Sequence, residues 1–203
     1  MTSVTHPPIA APGAPETTLP PHREWEDLAE LELPAITTKL RELTKRCATT
    51  RDALDNALIH LDTLTQIFLA KHSPMSSEDR ADYLHTYTAA MTAGRGIFPP
   101  QEAYRSAITT LGMLVTDLID VLPEKSTTKK RLRAEFDEGM MRANEKEEGI
   151  RKSMRGLVDD TCKGGESYAL AVYMAISRQR FKNWSAEEKR FKSWAGECVG
   201  ALL

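Results

Sequence analysis

The sequence predicts an all-α protein: a bundle of about six helices, two of them long and heptad-bearing, preceded by a disordered proline-rich N-terminal arm. The main observation is an apolar seam from Ile36 to Phe68, in which residues recur at alternating steps of four and three. The same period recurs from Tyr104 to Leu122, and strand-like alternation is missing. Helices that share such a period are typical of a bundle packed at shallow angles.

Composition limits the classes of protein that fit. The 203 residues, 41% hydrophobic and 28% charged, are typical of one soluble globular domain or two small ones. A net charge of -2 gives no overall attraction to nucleic acid or acidic membranes. Three cysteines without tight spacing favour a reducing compartment over a disulfide framework. Because neither a membrane span nor a targeting signal is visible, we expect an intracellular protein, cytoplasmic or nuclear.

The N-terminal region divides into two segments. Residues 1–22 hold six of the eleven prolines and are predicted to be a disordered arm, more typical of a spacer than of a docking motif. Residues 23–34 form an acidic amphipathic segment, in which Trp25, Leu28 and Leu31 share one helical face. This face either packs on the bundle as a short leading helix or docks into a partner's groove. We favour packing, since a large aromatic side chain beside a domain usually lies against it.

The helical bundle domain is predicted over 35–203, and breaker residues set the bounds of its helices. Ser73-Pro74 should end the first long helix, whose seam Leu58 and Ile67 widen. Gly164-Gly165 should end the second long helix, and Ser185 should cap a last one. The predicted helices are 35–72, 76–93, 100–122, 126–162, 166–182 and 186–202.

A near-duplication, Arg180-Phe181-Lys182-Asn183-Trp184 and Arg190-Phe191-Lys192-Ser193-Trp194, is the most unusual local feature. Core packing of the rings is the favoured interpretation, because they fall where amphipathic helices need apolar anchors. A partner-binding aromatic patch is the second. A nucleic-acid surface is the third, and it is disfavoured because residues 164–203 carry a net charge of only +2. The candidate partner-binding residues are therefore Trp25, Leu28, Leu31, Phe181, Trp184, Phe191 and Trp194.

Enzymatic motifs are missing from the sequence. It contains no phosphate-binding loop, dinucleotide fingerprint, HExxH, CxxC or nucleophile elbow, so we predict no catalytic, cofactor-binding or metal-ligating residue and no cofactor. An enzyme would require the polar stretch 144–148 to face a pocket that contains carboxylates with perturbed pKa values. A solvated charged face is the favoured interpretation of that stretch.

The sequence does not identify a named activity. The first hypothesis is a non-enzymatic interaction protein, that is, a scaffold, adaptor or complex subunit, which binds a protein partner through the 36–68 seam or the Trp25 segment. The alternative is a self-associating structural subunit, such as a helical viral coat or nucleocapsid protein. A flexible arm ahead of a helical core would suit exchange between subunits. The sequence leaves the oligomeric state open.

Overall fold

The computed structural model describes residues 32–70 and 77–203, with side chains at 32–68, 82–156 and 170–203. Over these ranges the regular structure is all helical, which confirms the predicted fold class. The predicted arm 1–22 and most of the acidic segment 23–34 lie outside the described residues. The helices are α1 (Leu33–Ala70), α2 (Ser77–Gly96), α3 (Phe98–Val121) and α4 (Thr127–Leu202).

The predicted seam is the buried face of α1. Cys47 and Leu61 are completely buried, and Leu58, which is predicted to widen the seam, is only 3% exposed. The prediction for Ile67 is wrong: it is 42% exposed, since it projects from the face opposite the core. Pro34 lies in the first turn of α1, where a missing N–H is tolerated, and so does not interrupt the chain there. Four other seam residues are at most 3% exposed: Ile36, Leu43, Leu54 and Phe68.

Helices α2 and α3 follow one another along α1 and are separated only by a turn at Ile97. The Phe68 ring near the end of α1 packs against Tyr83 and Tyr87 of α2, at centroid distances of 5.2 and 5.6 Å. Prolines in the first turn of α3 fit there because that turn needs no amide donors. Helix α3 then lies at the centre of the protein, with eleven buried residues.

Helix α4 reverses direction within its length. The rings of Phe136 and Phe191 lie 5.8 Å apart, although a straight helix would separate them by about 80 Å. Arg180 likewise donates to Glu147, 33 residues earlier. The chain therefore reverses between Arg151 and Arg178, and two antiparallel parts result: a first arm (127–151) and a second arm (178–202).

The result is an antiparallel bundle of four rods. They are α1, the α2–α3 run, and the two arms of α4. The second arm runs antiparallel to α1, because Arg178 pairs with Asp62 while Arg51 pairs with Glu188. Helix α3 runs parallel to the second arm. Most contacts join α1, α3 and α4, whereas α2 packs mainly on α1.

The prediction of six helices is not confirmed, because the described residues form four. Helix α4 begins within one residue of its predicted start, and Ser126 caps it, with its hydroxyl accepting from the Lys129 amide. The helical assignment continues through Gly164-Gly165, so these residues do not end α4, although the reversal of the chain falls in the stretch that contains them. Ser185 does not start a new helix. Trp184 and Phe191 on either side of it are both buried, and a continuous helix places them together in the core.

Candidate functional site

A buried carboxylate joins three of the four rods. Glu188 of the second arm is 1% exposed, and its Oε2 accepts a hydrogen bond from the Tyr104 hydroxyl at 2.7 Å. Its Oε1 accepts from Arg51 Nη1 at 3.4 Å and from Lys192 Nζ. Because its two oxygens accept hydrogen bonds from residues on three rods, this cluster links those rods to one another. We refer to it as the Glu188 hub.

The Tyr104 phenol and two buried thiols are held in their neutral forms. Burial raises the pKa of the Tyr104 hydroxyl, and the bond to Glu188 raises it further, so the phenol remains a donor. Burial, with a contribution from Glu188, also raises the pKa of the Cys47 thiol to about 11. The pKa of Cys198 is raised to about 11 as well, again mainly by burial. Neither thiol is therefore an activated nucleophile.

A cleft opens on the side of the bundle between α3 and the two arms of α4. Its larger part has a volume of about 360 Å³ and its smaller part about 190 Å³. The two parts share Arg105, Glu147, Arg151 and Trp184, so they adjoin. We call this the arginine cleft. Its remaining lining residues are Phe98, Gln101, Glu102, Ile108, Thr109, Met140, Ala143, Asn144, Arg180, Asn183 and Glu187.

Arg180 is the most enclosed cation of the arginine cleft. Its side chain is 18% exposed and its Nη2 donates to Glu147 Oε1 at 2.9 Å. The guanidinium carbon lies 5.9 Å from the centre of the Trp184 ring, which supports the charged group through its π face. The buried Nε–H finds no acceptor among the described residues. Arg151 stands 3.9 Å from the same Glu147 oxygen, so two arginines share one carboxylate.

A second carboxylate lies in the smaller part of the cleft. Burial raises the pKa of Glu187, and the charge of Glu147 raises it further, while Arg190 and Lys146 lower it. The condition set for an enzyme is thus met in part, because Asn144 and Glu147 line a cleft that holds one perturbed carboxylate. The neighbouring positions Glu145 and Lys146 are exposed. Glu147 itself bonds to Arg180 at 2.9 Å and stands 3.9 Å from Arg151, so its charge lies between two cations.

The duplicated aromatic residues lie in the interior of the bundle. Trp184 and Trp194 are 8% exposed, Phe191 is 4% exposed, and Phe181 is half-buried. The Phe191 and Trp194 rings pack on Phe136 at 5.8 and 5.6 Å, so these rings do not form an exposed surface for stacking bases. Core packing, the favoured interpretation, accounts for their positions. Trp184 alone also faces the arginine cleft.

Two glycines seat these rings, and sequence reasoning missed them. A Cβ at Gly139 would stand 2.8 Å from Trp194 Cη2, and one at Gly112 would stand 3.1 Å from Phe191 Cε2. Each ring therefore fills a notch in the facing helix. The available signal was an isolated glycine inside a helical pattern, which lowers helix propensity.

The remaining candidate residues Trp25, Leu28 and Leu31 lie outside the described residues. Within the described ranges, no group of three or more histidine, cysteine, aspartate or glutamate side chains could hold a metal ion. Nor does any helix there combine the length and apolar character needed to cross a membrane. Comparison with protein-family models, curated proteins and solved structures found no match to this chain.

Proposed function

We propose that this protein is a non-enzymatic interaction module, a scaffold, adaptor or complex subunit, that binds a short segment of a partner protein in the arginine cleft. The observation that carries the proposal is the combination in one cleft of an aromatic wall, Trp184, with a partly buried guanidinium whose enclosed Nε–H lacks an acceptor among the described residues. Aromatic and arginine side chains are the types enriched where proteins bind one another.

The dimensions of the cleft support a short linear partner. Its lining extends along α3 from Phe98 to Thr109, which corresponds to roughly 15 Å of helix. An extended peptide of about five residues has this length. The 36–68 seam, in contrast, is occupied by the chain itself, so it no longer serves as a partner surface.

The free, buried thiols support the proposed location. Cys47 and Cys198 form no disulfide. We therefore propose that the module acts in a reducing compartment inside the cell, cytoplasmic or nuclear.

The test is a selection of short random peptides displayed on phage against the purified full-length chain. The discriminating variant carries Arg105→Glu and Arg151→Glu, whose side chains are 39% and 53% exposed and are therefore replaceable without disturbing the core. The matched control carries Arg41→Glu and Lys45→Glu, two exposed positions on α1 with the same charge change. We expect selected peptides to bind the cleft variant at least about tenfold more weakly and the control unchanged. If every selected peptide binds all three proteins alike, the proposal is wrong.

The alternative, a self-associating structural subunit, has its support in α2. Leu84 and Met91 lie seven residues apart on one face of that helix and are 54% and 37% exposed. Light scattering on a sizing column, with absorbance at 260 and 280 nm, separates the two proposals. A monomer supports the module. An assembly that Leu84→Glu dissolves supports the structural subunit, and excess absorbance at 260 nm would add bound nucleic acid.

A further inference from the structure

We infer that the arginine cleft recognises an oxyanion, a carboxylate or a phosphoryl group, which pairs with the Nε and Nη2 edge of Arg180 in place of Glu147. This inference rests on the proposed function and specifies the chemical group that the partner segment must present. Its basis is the hydrogen bonding of a single guanidinium.

Arg180 uses only half of its recognition edge. The Nε–H and the adjacent Nη2–H point the same way and match the two oxygens of a carboxylate or phosphate. Glu147 accepts from Nη2 at 2.9 Å, while the buried Nε–H has no acceptor in the part of the chain that the structure describes. A buried N–H without an acceptor is uncommon in native proteins and requires an explanation. An oxyanion centred on this edge would satisfy both donors.

The surroundings of Arg180 favour a negative ligand. The cleft as a whole balances three arginines against three glutamates, but its larger part, which Arg180 lines, holds three arginines and only two glutamates, so the positive excess lies at the Arg180 end. Arg105 and Arg151 are partly exposed at its rim, where they would attract an incoming anion. The Trp184 ring lies 5.9 Å from the guanidinium carbon, and this cation–π contact favours the observed position of the Arg180 side chain.

Glu147 is the resident competitor for this edge. It comes from the other arm of α4, is 28% exposed, and approaches Arg151 only to 3.9 Å. A partly exposed carboxylate held by one close contact is displaced by a ligand that makes two. Glu147 thus keeps Arg180 paired in the free protein and yields its place to the partner's oxyanion.

The experiment records the Arg180 Nε–H resonance by NMR in the full-length protein while inorganic phosphate or acetate replaces chloride at constant ionic strength. We expect a saturable shift. Glu147→Gln should tighten binding by about tenfold, because it removes the competing charge. Arg180→Lys keeps the charge but removes the two-donor edge, and should weaken binding by about tenfold, as followed through the Trp184 indole resonance. Phosphate and acetate distinguish a phosphoryl from a carboxylate ligand.

A purely structural ion pair makes the opposite prediction. Glu147→Gln would then lower the unfolding temperature without changing anion affinity, and that result overturns the inference. If neither anion shifts Arg180 while peptides are still selected through the cleft, the oxyanion inference fails and the proposed function stands. If anions bind as expected but no peptide is selected, the proposed function fails and the oxyanion site stands.

Discussion

The glycine notch at Gly139 allows a quantitative test of how the bundle is packed. In Gly139→Ala the new methyl group would lie 2.8 Å from Trp194 Cη2 and 3.4 Å from Arg190 Nη1. The tryptophan ring cannot retreat freely, because it is 8% exposed and packs on Phe136 and Phe191. Alanine gains about 1 kcal/mol in helix propensity, but overpacking a core costs about 1–3 kcal/mol. We expect a net loss of about 1 kcal/mol in the free energy of unfolding.

Gly149→Ala is the matched control. Gly149 lies in the same helix and is exposed, and a Cβ added there would have no neighbour within 4 Å. This variant should gain about 0.5–1 kcal/mol from propensity alone. Urea unfolding followed by circular dichroism at 222 nm measures both changes.

A double variant tests the cause of the loss. Trp194→Phe removes the atom nearest the Gly139 methyl group, so Gly139→Ala should be neutral or stabilising in that background. Equal stabilisation by Gly139→Ala and Gly149→Ala in the wild-type background would refute the seating of the ring in a notch. A destabilisation by Gly139→Ala that is the same size in the Trp194→Phe background would refute it as well.

Three further predictions concern the core, the pH dependence and the thiols. Leu61→Asp should lower the free energy of unfolding by about 4 kcal/mol or more, because it buries an unpaired charge at a fully buried position; a normal urea midpoint would contradict this. The free energy of unfolding of the wild type, measured relative to Glu187→Gln, should fall as the pH rises above 4.5. The pKa of the Glu187 carboxyl is raised in the folded state, so this group stays protonated there at pH values at which it has already ionised in the unfolded state. A constant difference between pH 4 and pH 8 would contradict this. In a Cys162→Ser background, Cys47 and Cys198 should resist a thiol reagent at pH 8 until urea unfolds the chain, and rapid labelling without urea would contradict their burial.

The seam of α1 could be read from the sequence because its physical basis is local. Spacing along one helix decides which side chains share a face, so Leu54 and Leu61 were predicted to be buried and are buried. Proline signals are also local, and α3 ends within one residue of its predicted bound before Pro123. The capping signal at Ser185 misled because tertiary packing outweighs a local preference. Its hydroxyl lies 3.3 Å from that of Tyr104 inside a continuous helix.

The arginine cleft could not be predicted, because it is assembled from residues distant in sequence. Arg105, Glu147 and Arg180 lie on α3 and on the two arms of α4, and only the reversal of α4 brings them together. Glu147 and Arg151 are four residues apart, a spacing that predicts an ion pair within one helix, and Arg151 does stand 3.9 Å from Glu147. The closer partner, Arg180, is set by the bundle. Which residues pair between rods depends on how the rods are aligned along the bundle axis, and the periodicity of the sequence does not supply that alignment.

The Glu188 hub supplies a register that a repeating seam lacks. An apolar heptad pattern looks nearly the same after a slide of seven residues, so α1 could exchange one set of leucines for the next with little change in burial. The same slide would carry Arg51 about 10 Å along the bundle and leave the Glu188 carboxylate with one donor fewer in a dry interior. Glu188, a single polar residue on the buried face of the second arm, thus fixes the register of the helices. It makes one alignment of the helices far more favourable than the alignments shifted by whole turns. The residues of the arginine cleft, which lie on different rods, are therefore held at matching positions along the bundle.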